Sequence, residues 1–367
     1  MLKATQNLKC IIGNQTEFSA LPADFDRAKS AYTTRNIDLG RAAGMLTGEH
    51  QPQHGDLLLA EVVRIGQHTR LELACGRRAR MHIGDRVLVC YGNRYAPDQF
   101  EASMPLDLDE CHLVAAGGIA AQMDSRHRIM KRPTVLQPVG LVTDADGHRI
   151  NLRDSRLPRR ESSARPLTVA IAGTSMNAGK TTTASHLIKG LDRAGLKVAA
   201  AKITGTGAGG DFWFMIDSGA QPVLDFTDAG HASTFGLTPD ELEDVMETLV
   251  AELASHRPDV IVLEVADGIF QQETASLLAS DCFRRLVDRL LFTAGDATGA
   301  LAGKLWLDQH ELPLIGISGA LTASPLATRE AELASSMPVY TTDQLGDAEL
   351  SVDLVFGEAV QCKQNLA

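Results

Sequence analysis

The chain has 367 residues, 44% of them hydrophobic and 22% charged, enough to bury large cores and to divide into two or three domains. No apolar run is long enough to cross a bilayer, and the start, Met1 to Cys10, lacks a sustained hydrophobic leader segment, so a cytoplasmic protein with no membrane partner is expected. The net charge of −11 is uneven: 23 Lys and Arg face 19 Asp and Glu over residues 1–165, and 12 face 27 over the rest, a balance that argues against a nucleic-acid partner.

Six cysteines, at positions 10, 75, 90, 111, 282 and 362, include no C-x-x-C pair, so reduced thiols are expected rather than disulfides or a cysteine zinc site. His50 and His54 stand four apart beside Glu49, but Pro52 between them spoils the helix that a zinc-binding pair at this spacing needs.

Residues 1–50 show little pattern and read as an N-terminal arm, with a helix suggested over residues 23–32. A β-rich domain is expected over 51–152. Leu57–Ile65, Thr69–Leu73, Ala79–Ile83 and Arg86–Cys90 are short strand candidates separated by turns at Gly66, Gly76 and Gly84-Asp85. Such closely spaced strands suggest a small barrel or sandwich. Tyr91–Glu101 gathers two tyrosines, an arginine and an asparagine, read as a packed loop or a substrate contact. Ser125–Arg132 is basic and reads as a solvated surface or an anion contact. Residues 134–150 return to β character, with Asp144-Ala-Asp-Gly147 as a hairpin turn. Residues 153–165 are polar and charged and read as a linker.

A second domain is expected over 166–367. Leu167–Gly173 is an apolar, β-branched run, followed by Thr174-Ser-Met-Asn-Ala178, then Gly179-Lys180-Thr181-Thr182. This order, strand, glycine-bounded loop and helix start, suits a polyphosphate, whose charges need backbone N–H groups, an ammonium group and a Mg²⁺ in place of water. Gly173, Thr174, Asn177, Ala178, Gly179, Lys180, Thr181 and Thr182 are the expected nucleotide contacts. Lys180 would reach the β- and γ-phosphates, and the Thr181 hydroxyl would join the Mg²⁺ shell. Beyond the loop, helical and strand patterns alternate. Ala184, Leu187, Ile188 and Leu191 form one apolar stripe that Gly195 stops. Thr238-Pro-Asp-Glu241 is a capping box ahead of a second stripe, and Lys197–Lys202, Asp259–Glu264, Leu290–Thr293 and Pro313–Ser318 read as strands. The fold class is therefore α/β: a mainly parallel sheet with helices on both faces, preceded by a smaller β-rich domain.

Ligands of such sheets gather at the carboxyl ends of the strands, which singles out Lys202, Asp211 and Glu264. Thr181, Asp211 and Glu264 offer hard oxygens suited to Mg²⁺, and Lys180 and Lys202 offer positive charge to a transferred phosphoryl group, with Glu264 beside them in the catalytic set. Asp267-Gly268 reads as a supporting group or a turn, and Asp225–His231 as pocket lining or loop capping.

The loop has five residues between its glycines where the commonest form has four. In this it resembles dethiobiotin synthetase and related ATP-dependent ligases and synthases of the P-loop NTPase class. Lys202, Asp211 and Glu264 are similar in order to that group's phosphate-approaching lysine, Mg²⁺-binding aspartate and strand-ending glutamate. The resemblance covers roughly residues 167–320. It implies ATP and Mg²⁺ as cofactors, activation of a small molecule, a carboxylate in the first instance, and a homodimer as the assembly to test. The glycine-rich Thr204–Gly210 and the β-rich first half depart from a minimal dethiobiotin synthetase, and no Asn-Lys-x-Asp guanine-selecting element is present. The alternatives are a small-molecule kinase and a nucleotide-switched accessory protein that resembles the molybdopterin-guanine dinucleotide group.

Overall fold

The computed structural model describes residues 17–160 and 165–364. The first half is built on strands β1 (Glu17–Ala20), β2 (Lys29–Ser30), β3 (Gly44–Thr47), β4 (Leu57–Arg64), β5 (Arg70–Glu72), β6 (Arg78–Arg80), β7 (Arg86–Tyr91), β8 (Arg94–Tyr95), β9 (Phe100–Ser103), β10 (Cys111–Ala115), β11 (Ile119–Arg126) and β12 (Thr134–Thr143). Ten of them form a sheet along β1-β3-β12-β4-β7-β11-β9-β8, with β10 joining β11 to β12 and β2 beside β7. The remaining pair, β5 and β6, stands apart.

Period-two alternation explains why this sheet is covered on both faces. In β4 and β7, Leu57, Leu59, Leu88 and Cys90 enter one core, while Leu58, Ala60, Val62, Val87 and Val89 enter the other. The hairpin turn at Asp144–Gly147 is present: Gly147 donates to the Asp144 carbonyl at 3.1 Å, and Thr143 bridges to Arg149.

Two expectations change, and two strands appear where the sequence suggested none. The stretch 23–32 is not an α-helix but a 3-10 turn at Phe25–Arg27, the two-residue β2 and the start of a second turn at Tyr32–Thr34. Within the described part of the expected arm, β1 pairs with β3 and β3 with β12, so these residues extend the sheet. Residues 111–126, whose small side chains hide a strand pattern, supply β10 and β11.

The second half begins with β13 (Leu167–Gly173) and α1 (Lys180–Arg193), then β14 (Val198–Lys202), α2 (Gly210–Asp217), β15 (Val223–Asp225) and α3 (Pro239–Ser255). It continues with β16 (Val260–Glu264), α4 (Gln272–Leu278), α5 (Asp281–Leu286), β17 (Arg289–Thr293), α6 (Ala297–Gln309), β18 (Leu314–Ser318), α7 (Pro325–Ser335), α8 (Thr342–Leu345) and α9 (Ala348–Gln364). The sheet order is β15-β14-β16-β13-β17-β18, with every pairing parallel. Both faces are buried, as the continuous apolar strands require. Leu187, Ile188 and Leu191 of α1 pack on one face, and Leu242, Val245, Met246 and Leu249 of α3 on the other. Thr238 and Glu241 cap α3 reciprocally, and Gly195, at φ +80°, ends α1.

The halves are pinned together. Residues 153–160, from the expected linker, lie along α3 through Arg153–Glu241 at 2.9 Å, Arg156–Asp244 at 2.9 Å and an Arg160–Glu252 pair. Near the end of β15, Asp225 accepts the Tyr32 hydroxyl at 2.6 Å and pairs with Arg35 at 3.1 Å, while Asp228 pairs with Arg35 at 2.6 Å. The Asp225–His231 segment also caps its own loop, Thr227 N–H reaching Asp225 Oδ1 at 2.8 Å. Burial works against the Asp225 charge, but Arg35 and the surrounding donors hold its carboxyl below the usual range.

Candidate functional site

The loop between β13 and α1 is held by close backbone approaches that need glycine. A Cβ on Gly173 would strike the Thr293 hydroxyl. Gly179 has φ +101°, and a Cβ there would stand 2.9 Å from Gly319 Cα. Thr174 N–H bonds to the Thr293 carbonyl at 2.9 Å, and the Ala178 carbonyl accepts from Ala320 N–H at 2.9 Å. Gly173, Thr174 and Ala178 thus shape the loop from behind. Asn177, at φ +66°, donates its amide to Asp98 of the first half at 3.0 Å.

Lys180 is the first residue of α1 and only 5% exposed. Its ammonium folds back on the loop and donates to the Ser175 carbonyl at 2.7 Å. Burial lowers its pKa, while Glu264 and Asp267 pull the other way.

The Thr181 hydroxyl lies 2.9 Å from Glu264 Oε1 and 3.1 Å from Asp211 Oδ1. A hydroxyl has one proton, so it satisfies one carboxylate fully and the second only if that group brings its own proton. Glu264 is 2% exposed, and its Oε2 is buried without a hydrogen-bond partner. Burial first, then the neighbouring Asp211 charge, push the Glu264 carboxyl up to about 7, with Lys202 and Lys180 only partly opposing. Asp211 goes the other way: despite burial, its ion pair with Lys202 keeps it below the ordinary range. Lys202 is raised in turn, because Asp211 and Glu264 outweigh its own burial.

These groups line a cavity of about 350 Å³ together with Met176, Asn177, Gly179, Thr182, Ala266 and Asp267. Lys180, Thr181, Lys202, Asp211 and Glu264, dispersed over 85 residues of sequence, are therefore brought together, and of the other expected nucleotide contacts Asn177, Gly179 and Thr182 line the same cavity. The Asp267 side chain also faces this space, and burial raises its pKa. The sequence leaves Asp267 between a support and a turn, places Asp98 only within the Tyr91–Glu101 stretch, and gives no sign of Glu72, which like Asp98 arrives from the first half. The only signal for Asp267 was its place three residues past the end of β16.

The donor set fits Mg²⁺: three hard oxygen groups converge, and the orphaned Glu264 Oε2 is a buried polar atom that a cation would satisfy. Thr181, Asp211 and Glu264 are the residues that would hold it.

A parallel sheet with helices on both faces, and a glycine-bounded loop running from its β13 into the Lys-Thr start of α1, define a P-loop NTPase fold, here preceded by a β-rich half. No family model matches the sequence, and no curated protein matches it either. Among solved structures, the chain is similar to the signal recognition particle 54 kDa protein of Aeropyrum pernix K1 in complex with GDP, at 16% identity and TM-score 0.37 over 55% of this chain and 49% of that one. It is likewise similar to the signal recognition particle receptor FtsY of Elizabethkingia anophelis in complex with GDP (15% identity, TM-score 0.37, 56% of this chain and 68% of that one). A third is chloroplast FtsY of Physcomitrella patens (17% identity, TM-score 0.36, 56% and 71%). The match spans about half the length of the Aeropyrum protein. Among the described residues, no helix is long and apolar enough to cross a membrane.

Proposed function

We propose that the chain is an ATP- and Mg²⁺-dependent enzyme of the dethiobiotin synthetase-like kind, which activates a small molecule by phosphoryl transfer for ligation or ring closure. The observation that supports this most is the convergence of Lys180, Lys202, Thr181, Asp211 and Glu264 on one cavity. Bound Mg²⁺ would neutralise phosphate charge and orient the β- and γ-oxygens. Lys180 leaves the Ser175 carbonyl to reach those oxygens, and Lys202 spreads its charge over the moving phosphoryl group. With a carboxylate acceptor, its oxygen bonds to the γ-phosphorus as the bond to the bridging oxygen breaks. ADP leaves, and the acyl phosphate awaits a nucleophile.

One feature favours a kinase as the second reading. Among the described residues Asp267 has no side-chain hydrogen bond or ion pair; it lines the cavity and has a raised pKa from burial, which suits it to take the proton of a hydroxyl acceptor. A cytoplasmic setting and a homodimer belong to the same proposal.

The test is ADP release measured with ATP, and with GTP in parallel, against panels of small carboxylic acids and alcohols, with products weighed by mass spectrometry. The proposal expects turnover that depends on one acceptor, with one ADP per product formed. Fast ATP hydrolysis by the protein alone, indifferent to every acceptor, would count against it.

A further inference from the structure

The helix that carries Asp211 is not anchored within its own half alone. α2 begins at Gly210 with Gly209 as N-cap, and no side chain of the helix or its flank caps it. The cap comes instead from the β-rich half: Glu72, at the end of β5 and 2% exposed, accepts the Gly209 N–H on Oε2 at 3.1 Å. A carboxylate at a helix N-terminus satisfies an otherwise orphaned donor and meets the positive end of the helix dipole. Glu72 is itself fixed, its own N–H bonding to the Ala116 carbonyl at 2.8 Å.

At Gly209 and Gly117 the two halves approach too closely for a Cβ. A Cβ on Gly209 would lie 2.6 Å from both Glu72 Oε1 and Trp213 Nε1 and 2.8 Å from Tyr32 Cε2. A Cβ on Gly117 of the first half would strike the Gly207 carbonyl and come 2.7 Å from Ala208 Cα. Trp213 lies against Gly76, and Phe212 packs edge-on against Tyr32 with ring centroids 5.9 Å apart. Gly207, where a Cβ would lie 2.6 Å from Thr33 Cγ2, and Gly209 thus have a physical purpose: they let the chain entering α2 lie close on the β-rich half. Two residues past Gly209, Asp211 turns its carboxylate to Thr181 and Lys202.

We propose that Glu72 is a positioning residue for the Mg²⁺–nucleotide site: by holding the first turn of α2 it sets where the Asp211 carboxylate stands relative to Thr181 and Glu264. The β-rich half is then part of the nucleotide site's scaffold. The proposal rests on the reading that residues 173–182 bind a Mg²⁺–nucleoside triphosphate.

The test uses the full chain and fluorescent, non-hydrolysable ATP and GTP analogues, titrated at MgCl₂ concentrations from zero (with EDTA) to saturation. Glu72→Ala is expected to raise the Mg²⁺ concentration for half-maximal tightening about 10-fold, the scale of losing a supporting partner behind a metal ligand. Affinity in EDTA should stay within about 2-fold, since the loop is untouched. Gly209→Ala, which forces the same contact apart from the other side, should shift the Mg²⁺ dependence likewise. It carries the test should Glu72→Ala fail to fold. Glu72→Gln keeps the volume and an acceptor oxygen and should lie closer to the parent than Glu72→Ala. Parental Mg²⁺ dependence in the folded Glu72→Ala or Gly209→Ala protein overturns the proposal. Failure of the parent itself to bind either analogue would instead sink the nucleotide reading on which it rests.

Discussion

Replacing Glu264 with Gln removes the one carboxyl of the cavity that burial and Asp211 push up to about 7 from an ordinary 4.5. In the unfolded chain this group loses its proton near its ordinary value, whereas the folded protein holds it until about 7. Stability therefore falls as pH rises through that window and levels off above it. The difference amounts to about 3 kcal/mol in total, of which about 2–3 kcal/mol lies between pH 5 and pH 8. Gln is neutral at both pH values and keeps an oxygen for Thr181. Without nucleotide and in EDTA, Glu264→Gln should gain on the parent by that amount between pH 5 and pH 8, roughly 5–10 °C in midpoint for a domain of this size. Thermal and urea unfolding at the two pH values read it directly. Saturating Mg²⁺ and nucleotide should reverse the order, because the ionised carboxylate is then a ligand that Gln replaces poorly. Parallel pH–stability curves for the two proteins would refute the reasoning.

Two further outcomes follow from geometry. Gly179→Ala places a Cβ at φ +101° and 2.9 Å from Gly319 Cα, so it should cost about 1–3 kcal/mol of stability and weaken nucleotide binding; unchanged unfolding and titration curves would contradict it. Arg35→Met leaves the Asp225 and Asp228 carboxylates without their cation and should destabilise by about 3–5 kcal/mol at pH 8. Because Asp225 is held ionised by Arg35, the loss should shrink as acid protonates it. A loss below about 1 kcal/mol, or one that grows in acid, would be at odds with a buried cross-half ion cluster.

What could be read from residues alone was whatever one local rule determines. The strand, glycine-bounded loop and Lys-Thr helix start are contiguous, and strand-end position in a parallel sheet singled out Lys202 and Glu264. Asp211 was reached only as the acidic residue after a glycine-rich passage. Helix α2 itself escaped notice, because Phe212-Trp-Phe-Met-Ile216 has no amphipathic period: Met215 is buried in the core of its own half while Phe212 meets Tyr32 of the other. Strand β15 is three residues long and β2 two, too short to show a period. The cross-half roles of Asp225 and Glu72 were illegible for another reason: their partners, Arg35 and Gly209, lie 190 and 137 residues away. Only the folded arrangement of the two halves brings such pairs together.

The central claim is that residues 173–182 grip a nucleoside triphosphate through Lys180. Its most direct measurement is calorimetric titration of Mg²⁺ with ATP, and with GTP, into the parent and Lys180→Ala proteins, both shown folded by circular dichroism. Loss of a buried ammonium's charged contacts should weaken binding about 100-fold, on the order of 3 kcal/mol. Equal affinity in the two proteins would contradict the account.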